Sequence, residues 1–179
     1  MGANTNSNTA LLVIDVQSAM FADSYPVYNG EALLERINGL LAKARAADVP
    51  VIYVQHNEGE GEELETGSPN WEIHAAIAPV GDEPRIQKYK PDSFHETELQ
   101  QILAERGVGK LVIAGLQTDM CVNATTTRAS ELGYDIIVAS DAHSTWGSGG
   151  LTAEEIIAEH NARFSSFAQI SPAADIEFK

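Results

Sequence analysis

Basic residues are scarce in this 179-residue chain: 11 Lys and Arg stand against 26 Asp and Glu, a formal net charge of −15. Duplex nucleic acid and anionic membranes both select for clustered cations, so neither is an expected partner. No Lys or Arg precedes Arg36, so the basic opening of a secretory signal is missing. Long apolar runs are missing as well, and the first, Ala10–Ile14, falls far short of a membrane span. Met1-Gly2 lacks the Ser or Thr that a myristoylation pattern needs, because Asn6 stands there. The single cysteine, Cys121, excludes an internal disulfide and suits a reducing cytosol, so the expected location is cytoplasmic.

What is present is a globular composition, 44% hydrophobic, of a length that fits one domain. Residues 1–9 read as a polar arm and 10–179 as the domain. Short β-branched runs alternate with helical patterns. Strands are expected at Ala10–Ile14, Val51–Val54, Arg85–Lys88, Lys110–Ala114, Asp135–Ala139 and Phe167–Ile170, and helices at 31–47, 96–106, 119–132 and 152–164. Gly107 and Gly133 mark helix ends, and Thr152 a helix start. Strands that are apolar throughout, separated by helices, indicate a mostly parallel sheet covered on both faces. The fold class is therefore α/β.

Ligands of such sheets bind beyond the carboxyl ends of the strands. Polar residues cluster there: Asp15 and Gln17, Gln55 and His56, the Gly115–Cys121 segment, then Asp141 and His143. Asp15, directly after four apolar residues, suits a general base whose pKa burial raises, or equally a carboxylate capping a loop. Cys121 lies between a strand and a helix, with Thr118 or Asp119 as the expected N-cap. A helix start favours thiolate and supplies N–H groups for an oxyanion, whereas a lone cysteine is otherwise often a buried structural thiol. Lys88 ends the weak third strand, and spacing alone does not tie it to the other two. The 57–84 segment, which carries five glutamates between Glu58 and Glu65, reads as a lid or interface loop, and its acidic run as a solvated face.

In order along the chain stand Ala10-Leu-Leu-Val-Ile-Asp-Val-Gln17, Val54-Gln-His56, Trp71-Glu-Ile-His74, Ile86-Gln-Lys88 with Phe94 and Thr97, Gly115-Leu-Gln-Thr-Asp-Met-Cys-Val122 and Asp141-Ala142. This series resembles the isochorismatase-like cysteine hydrolases, which include nicotinamidase, N-carbamoylsarcosine amidase and ureidoacrylate amidohydrolase. The resemblance runs from about residue 10 to 170. It implies a Rossmann-like three-layer α/β/α sandwich on six strands, and a catalytic triad of Asp15, Lys88 and Cys121. It further implies a cis peptide between Leu116 and Gln117, with the N–H groups of Gln117 and Cys121 forming the oxyanion hole. The expected activity is hydrolysis of a small-molecule amide through a thioester, without a cofactor, by a homo-oligomer. Gln17, His56, Trp71, His143 and Trp146 are the candidate substrate-pocket residues.

Two rival functions remain at this stage. One is vinyl-ether hydrolysis of the isochorismatase type, which needs an acid and no nucleophile, so that Cys121 argues against it. The other is a non-catalytic binding or scaffold protein, against which the intact triad argues. No metal is expected: metal-containing members carry Asp-x-His after the second strand, and Gln55-His56-Asn57 stands there instead, although His56 and His74 could in principle share an ion. His74 is the expected anchor of the long loop, Asp141 a strand-end hydrogen-bonding group, and Trp146 either closes over a ligand or fills a subunit interface.

Overall fold

The first strand sorts its own side chains into two layers. In the computed structural model, which describes residues 8–178, β1 runs Asn8–Ile14. Leu11 and Val13 pack into one core, whereas Ala10, Leu12 and Ile14 pack into a second core on the opposite face. That is the period-two alternation of a strand buried on both sides. β2 (Val51–His56), β3 (Arg85–Lys88), β4 (Val108–Leu116), β5 (Asp135–Ser144) and β6 (Gln169–Ser171) complete a six-stranded sheet in the order β3-β2-β1-β4-β5-β6. Every pairing within it is parallel.

Helix α1 (Gly30–Ala46) covers one face with Leu33, Ile37, Leu40 and Leu41. Its N-cap, Asn29, makes no side-chain cap hydrogen bond, so apolar burial holds it, at about 1.5–3 kcal/mol per large aliphatic side chain. Helices α2 (Leu99–Glu105), α3 (Asn123–Glu131) and α4 (Ala153–Phe164) supply Leu99, Leu103, Ala129 and Phe164 to the other core. The expected three-layer α/β/α sandwich is present. Thr152 caps α4 through a reciprocal capping box with Glu155.

Several boundaries differ from the sequence reading. Asn8 and Thr9 belong to β1, paired with β4, rather than to an arm, and residues 1–7 lie outside the described part. β4 and β5 extend beyond their apolar runs, to Leu116 and Ser144, because hydrogen bonding to neighbours continues after hydrophobicity stops. The last strand starts at Gln169, not Phe167. Among the described residues no helix is long and apolar enough to cross a membrane.

At the carboxyl end β1 and β4 approach so closely that the fold demands a glycine. Gly115 sits at φ +134, and a Cβ placed on it would stand 2.2 Å from the Ile14 carbonyl oxygen and 2.6 Å from the Ile14 nitrogen. Gly133, at φ +93 after α3, has nothing within 4 Å of that position. Gly133→Ala should therefore cost about 1–3 kcal/mol through backbone conformation alone. Gly115→Ala adds a backbone collision to that cost and should lose more. Urea unfolding of the two variants checks this, and equal losses would contradict it.

Candidate active site

Three strand ends and one turn converge. β1 stops at Asp15, whose φ of +53 is left-handed, a conformation that Asp tolerates better than most residues. Its N–H donates to the Val54 carbonyl at 2.9 Å, and this bond fixes it beside the end of β2. Lys88 closes β3 in register with His56 of β2. In β3 exposure alternates, so Lys88 shares the buried phase with Ile86. Cys121 sits in a π-type turn, Thr118–Val122, that follows β4 and leads into α3. The Gln117 carbonyl accepts from both Met120 N–H and Val122 N–H, and the Leu116–Gln117 peptide is cis.

The three residues meet. Lys88 Nζ donates to Asp15 Oδ2 at 2.9 Å and to Cys121 Sγ at 3.2 Å. Lys88 is completely buried and Asp15 nearly so, at 2% exposure. The second carboxylate oxygen, Asp15 Oδ1, is buried and has no hydrogen-bond partner among the described residues. Burial pushes the Cys121 thiol well above the ordinary thiol range, and the Asp15 carboxylate adds to this while Lys88 opposes it. The expectation of a thiol lowered by the helix start is not met: desolvation first, then the neighbouring carboxylate, raises it.

Above this floor opens a cleft of about 720 Å³. Of the candidate pocket residues, His56 and Trp146 line it, together with Asp15, Gln117 and Cys121. Trp146 stacks on Tyr25, their centroids 5.6 Å apart. Gln17, Trp71 and His143 are not on the cleft wall, which corrects the expectation for all three. Gln17 is fully buried and donates to the carbonyls of Trp71 and His56, at 2.8 and 3.1 Å. Trp71 donates its indole N–H to Asn57 and, through its carbonyl, also accepts from Gln55. These bonds, with an antiparallel bridge between Gln17 and Ile73, pin the second half of the long loop to the end of β1. His74 anchors the same stretch, its Nδ1 accepting from Ala76 N–H and its ring packed edge-on to Phe21.

His143 stands behind the cysteine turn. Its Nε2 pairs with Asn161 Oδ1 and its Nδ1 with Thr118 Oγ1, each at 2.8 Å. Asn161 donates its amide to the Ser140 carbonyl, which leaves Oδ1 as acceptor for His143 Nε2–H. Thr118 therefore donates to Nδ1, and it caps nothing; Asp119 is engaged as well, accepting from Thr145 at 2.7 Å. The expected N-cap is absent, and Gln117 occupies that position without a side-chain bond. Asp141 accepts from Ala173 N–H and pairs with Arg36, which ties β5 to α1 and the C-terminal turn. Sequence reading missed several lining residues, among them Tyr25, Glu58, Tyr89, Asp119 and Met120. Tyr89, Asp119 and Met120 could have been found as immediate neighbours of Lys88 and Cys121, but Tyr25 comes from a distant loop and carries no local signal.

The isochorismatase domain model matches residues 9–172. The chain belongs to the isochorismatase family. It is 36% identical over 137 residues to a streptothricin hydrolase of Streptomyces noursei, covering 76% of this chain but only 50% of that protein. The secreted isochorismatase effector Isc1 of Verticillium dahliae is 32% identical over 86% of this chain and 81% of its own. A crystal structure of an isochorismatase hydrolase from Oleispira antarctica superposes with a TM-score of 0.89 at 33% identity, covering 97% of this chain and 98% of that one. More distant relatives are nicotinamidase 3 of Arabidopsis thaliana, 28% identical over 76% of this chain and 73% of that protein, and ureidoacrylate amidohydrolase of Caulobacter vibrioides, 26% identical over 75% and 76%.

In this isochorismatase-family chain Asp15, His56 and Cys121 bring one donor atom each within 4.8 Å of one another. Lys88 Nζ already lies among them, 2.8 to 3.2 Å from an atom of each. The donor set is therefore filled by an ammonium, and a divalent cation would have to displace it.

Two outcomes follow from these environments. Burial, before all other causes, lowers the His143 pKa to about 4. The unfolded chain, with an ordinary value near 6.5, then binds the extra proton first, so this stabilisation is complete above about pH 6.5 and is lost as pH falls towards 4. Wild type should lose about 3 kcal/mol in that window from this group, and His143→Gln should lack that part of the slope in urea melts. The second outcome concerns the thiol. Cys121 should react with iodoacetamide at pH 7 more slowly than free cysteine, and Asp15→Asn should accelerate it about tenfold by removing the anion. An unchanged rate in that variant contradicts the assigned charge balance.

Proposed function

We propose that the chain is a cysteine hydrolase that cleaves the C–N bond of a small-molecule amide through a thioester. The observation that carries this reading is the buried Lys88 ammonium joined to both Asp15 Oδ2 and Cys121 Sγ, with Asp15 Oδ1 left unpartnered in the cleft floor. Asp15 takes the thiol proton as Sγ attacks the carbonyl carbon. The N–H groups of Gln117 and Cys121 hold the negative oxygen. Asp15 then returns the proton to the leaving nitrogen, the C–N bond breaks and the amine departs. Water enters, gives a proton to Asp15 and adds to the thioester. Collapse expels the sulfur, which recovers its proton, and the carboxylic acid leaves.

Relatives named as nicotinamidase and amidohydrolase support the C–N reading. The cleft supports it against an anionic vinyl ether: Glu58, Glu63 and Asp119 line it against a single additional cation, Lys90. Outside the self-neutralising Asp15–Lys88 pair that wall favours neutral or cationic amides. One relative is a secreted effector, so kinship leaves the compartment open; a nucleophilic thiol without a disulfide partner argues for the reducing cytosol.

A panel of small carboxamides and ureido compounds, run beside isochorismate, tests the proposal. At least one amide should be turned over by wild type, Cys121→Ala should lose that turnover by several orders of magnitude, and intact-mass analysis of a quenched reaction should show an acyl adduct on Cys121. Amide hydrolysis that persists in Cys121→Ala, or cleavage of isochorismate with no amide cleaved, overturns it.

A further inference from the structure

A charged lysine offers three protons and no acceptor, and Lys88 meets three acceptors. Two are Asp15 Oδ2 and Cys121 Sγ; the third is His56 Nδ1, at 2.8 Å. The proposed chemistry uses the first two and leaves His56 without a task. We propose that His56 is a positioning residue for the nucleophile: its Nδ1 lone pair takes the third Lys88 proton, fixes the ring as the neutral Nε2–H tautomer and keeps the ammonium aimed at Cys121 Sγ. Its importance rests on Cys121 being the nucleophile, but its geometry does not, so the tests read the resting enzyme.

The backbone holds this ring in place from two sides. His56 N–H donates to Gln17 Oε1 at 3.0 Å, and Gln17 Nε2 donates back to the His56 carbonyl at 3.1 Å. On the other side His56 is in register with Lys88, and Asn57 N–H donates to the Lys88 carbonyl at 2.8 Å. Lys88 is completely buried, so bulk water cannot replace a lost acceptor. A protonated His56 would instead set a second cation 2.8 Å from Nζ. Burial and Lys88 both hold the imidazole below its ordinary pKa, while Asp15 and Glu58 pull the other way. Among the described residues nothing accepts from Nε2–H, which leaves that donor to whatever occupies the cleft.

The tautomer can be read on the wild-type protein by long-range nitrogen–proton correlation spectra at pH 7, with the His56 signals assigned by their loss in His56→Asn. A protonated Nε2 and an unprotonated Nδ1 are expected; an Nδ1–H tautomer or an imidazolium overturns the proposal. Alkylation of Cys121 by iodoacetamide at pH 8 gives the functional arm and needs no substrate. His56→Leu, which removes the acceptor, should slow it about tenfold, and His56→Asn, whose Oδ1 can stand near the place of Nδ1, should recover most of the rate. An unchanged rate in the Leu variant, or no recovery with Asn, refutes the role. Should the Leu variant fail to fold, the wild-type spectra still decide. Failure of the amide reading would leave both readouts intact, so the two proposals fail separately.

Discussion

A lysine with no exposed surface is the constraint around which the rest of this molecule is arranged. An ammonium removed from water is costly unless it is paired and all its protons are accepted. Here the acceptors come from the residue after β1, from β2 and from the turn after β4, so no single element could satisfy it. Burying Lys88 with its partners therefore needs β3, β2, β1 and β4 side by side. Conversely, once Lys88 is buried, Asp15, His56 and Cys121 are held within a few ångströms of one another. The ion pair is thus better understood as fixing the geometry of the site than as a source of net stability.

The strand order explains why these residues and not others are brought together. In the sequence β3-β2-β1-β4-β5-β6, connections leave β1 in one direction and β4 in the other, which opens a crevice between their carboxyl ends. Asp15 follows β1 and the Cys121 turn follows β4, so the carboxylate and the thiol face each other across that crevice. Gly115 is what lets the two strand ends come close enough, since a side chain there would meet the Ile14 backbone. Behind the turn, His143 fixes Thr118 and Asn161 without reaching the cleft.

Much of this was legible before any coordinates. Apolar runs located the central strands, and strand ends located Asp15 and the Cys121 turn, because a parallel sheet sends one end of every strand to the same side; Lys88, on a weak third strand, was tied to them only by the family resemblance. Direction was not legible. Residues such as Gln17, Trp71 and His143 lie at the correct end of the sheet but use their polar atoms on neighbouring backbone and side chains. Whether a polar group faces a cleft or its own scaffold depends on partners supplied from far along the chain, as when the Trp71 carbonyl collects Gln17 and Gln55. The environment of the thiol was not legible for a related reason. A helix start can be read from local sequence, but the burial of Cys121 and the carboxylate beside it arise only when β1 and β4 pair.

That environment bears on what a single cysteine must do. A thiol held as thiolate would be nucleophilic towards any oxidant or electrophile that enters the cleft. Burial and the Asp15 carboxylate instead push the Cys121 thiol upward, against the pull of Lys88. Under the proposed chemistry the proton leaves only when a carbonyl carbon is in place to take the sulfur's electrons, and Asp15 Oδ1 is the free acceptor for it. Under that chemistry protonating Asp15 leaves the Asp15–Lys88–Cys121 group one unit more positive, and the negative substrate oxygen held by the Gln117 and Cys121 N–H groups balances it. In the same scheme the nucleophile is activated by the substrate it attacks, and the ammonium that orients it is the one held between Asp15, His56 and Cys121.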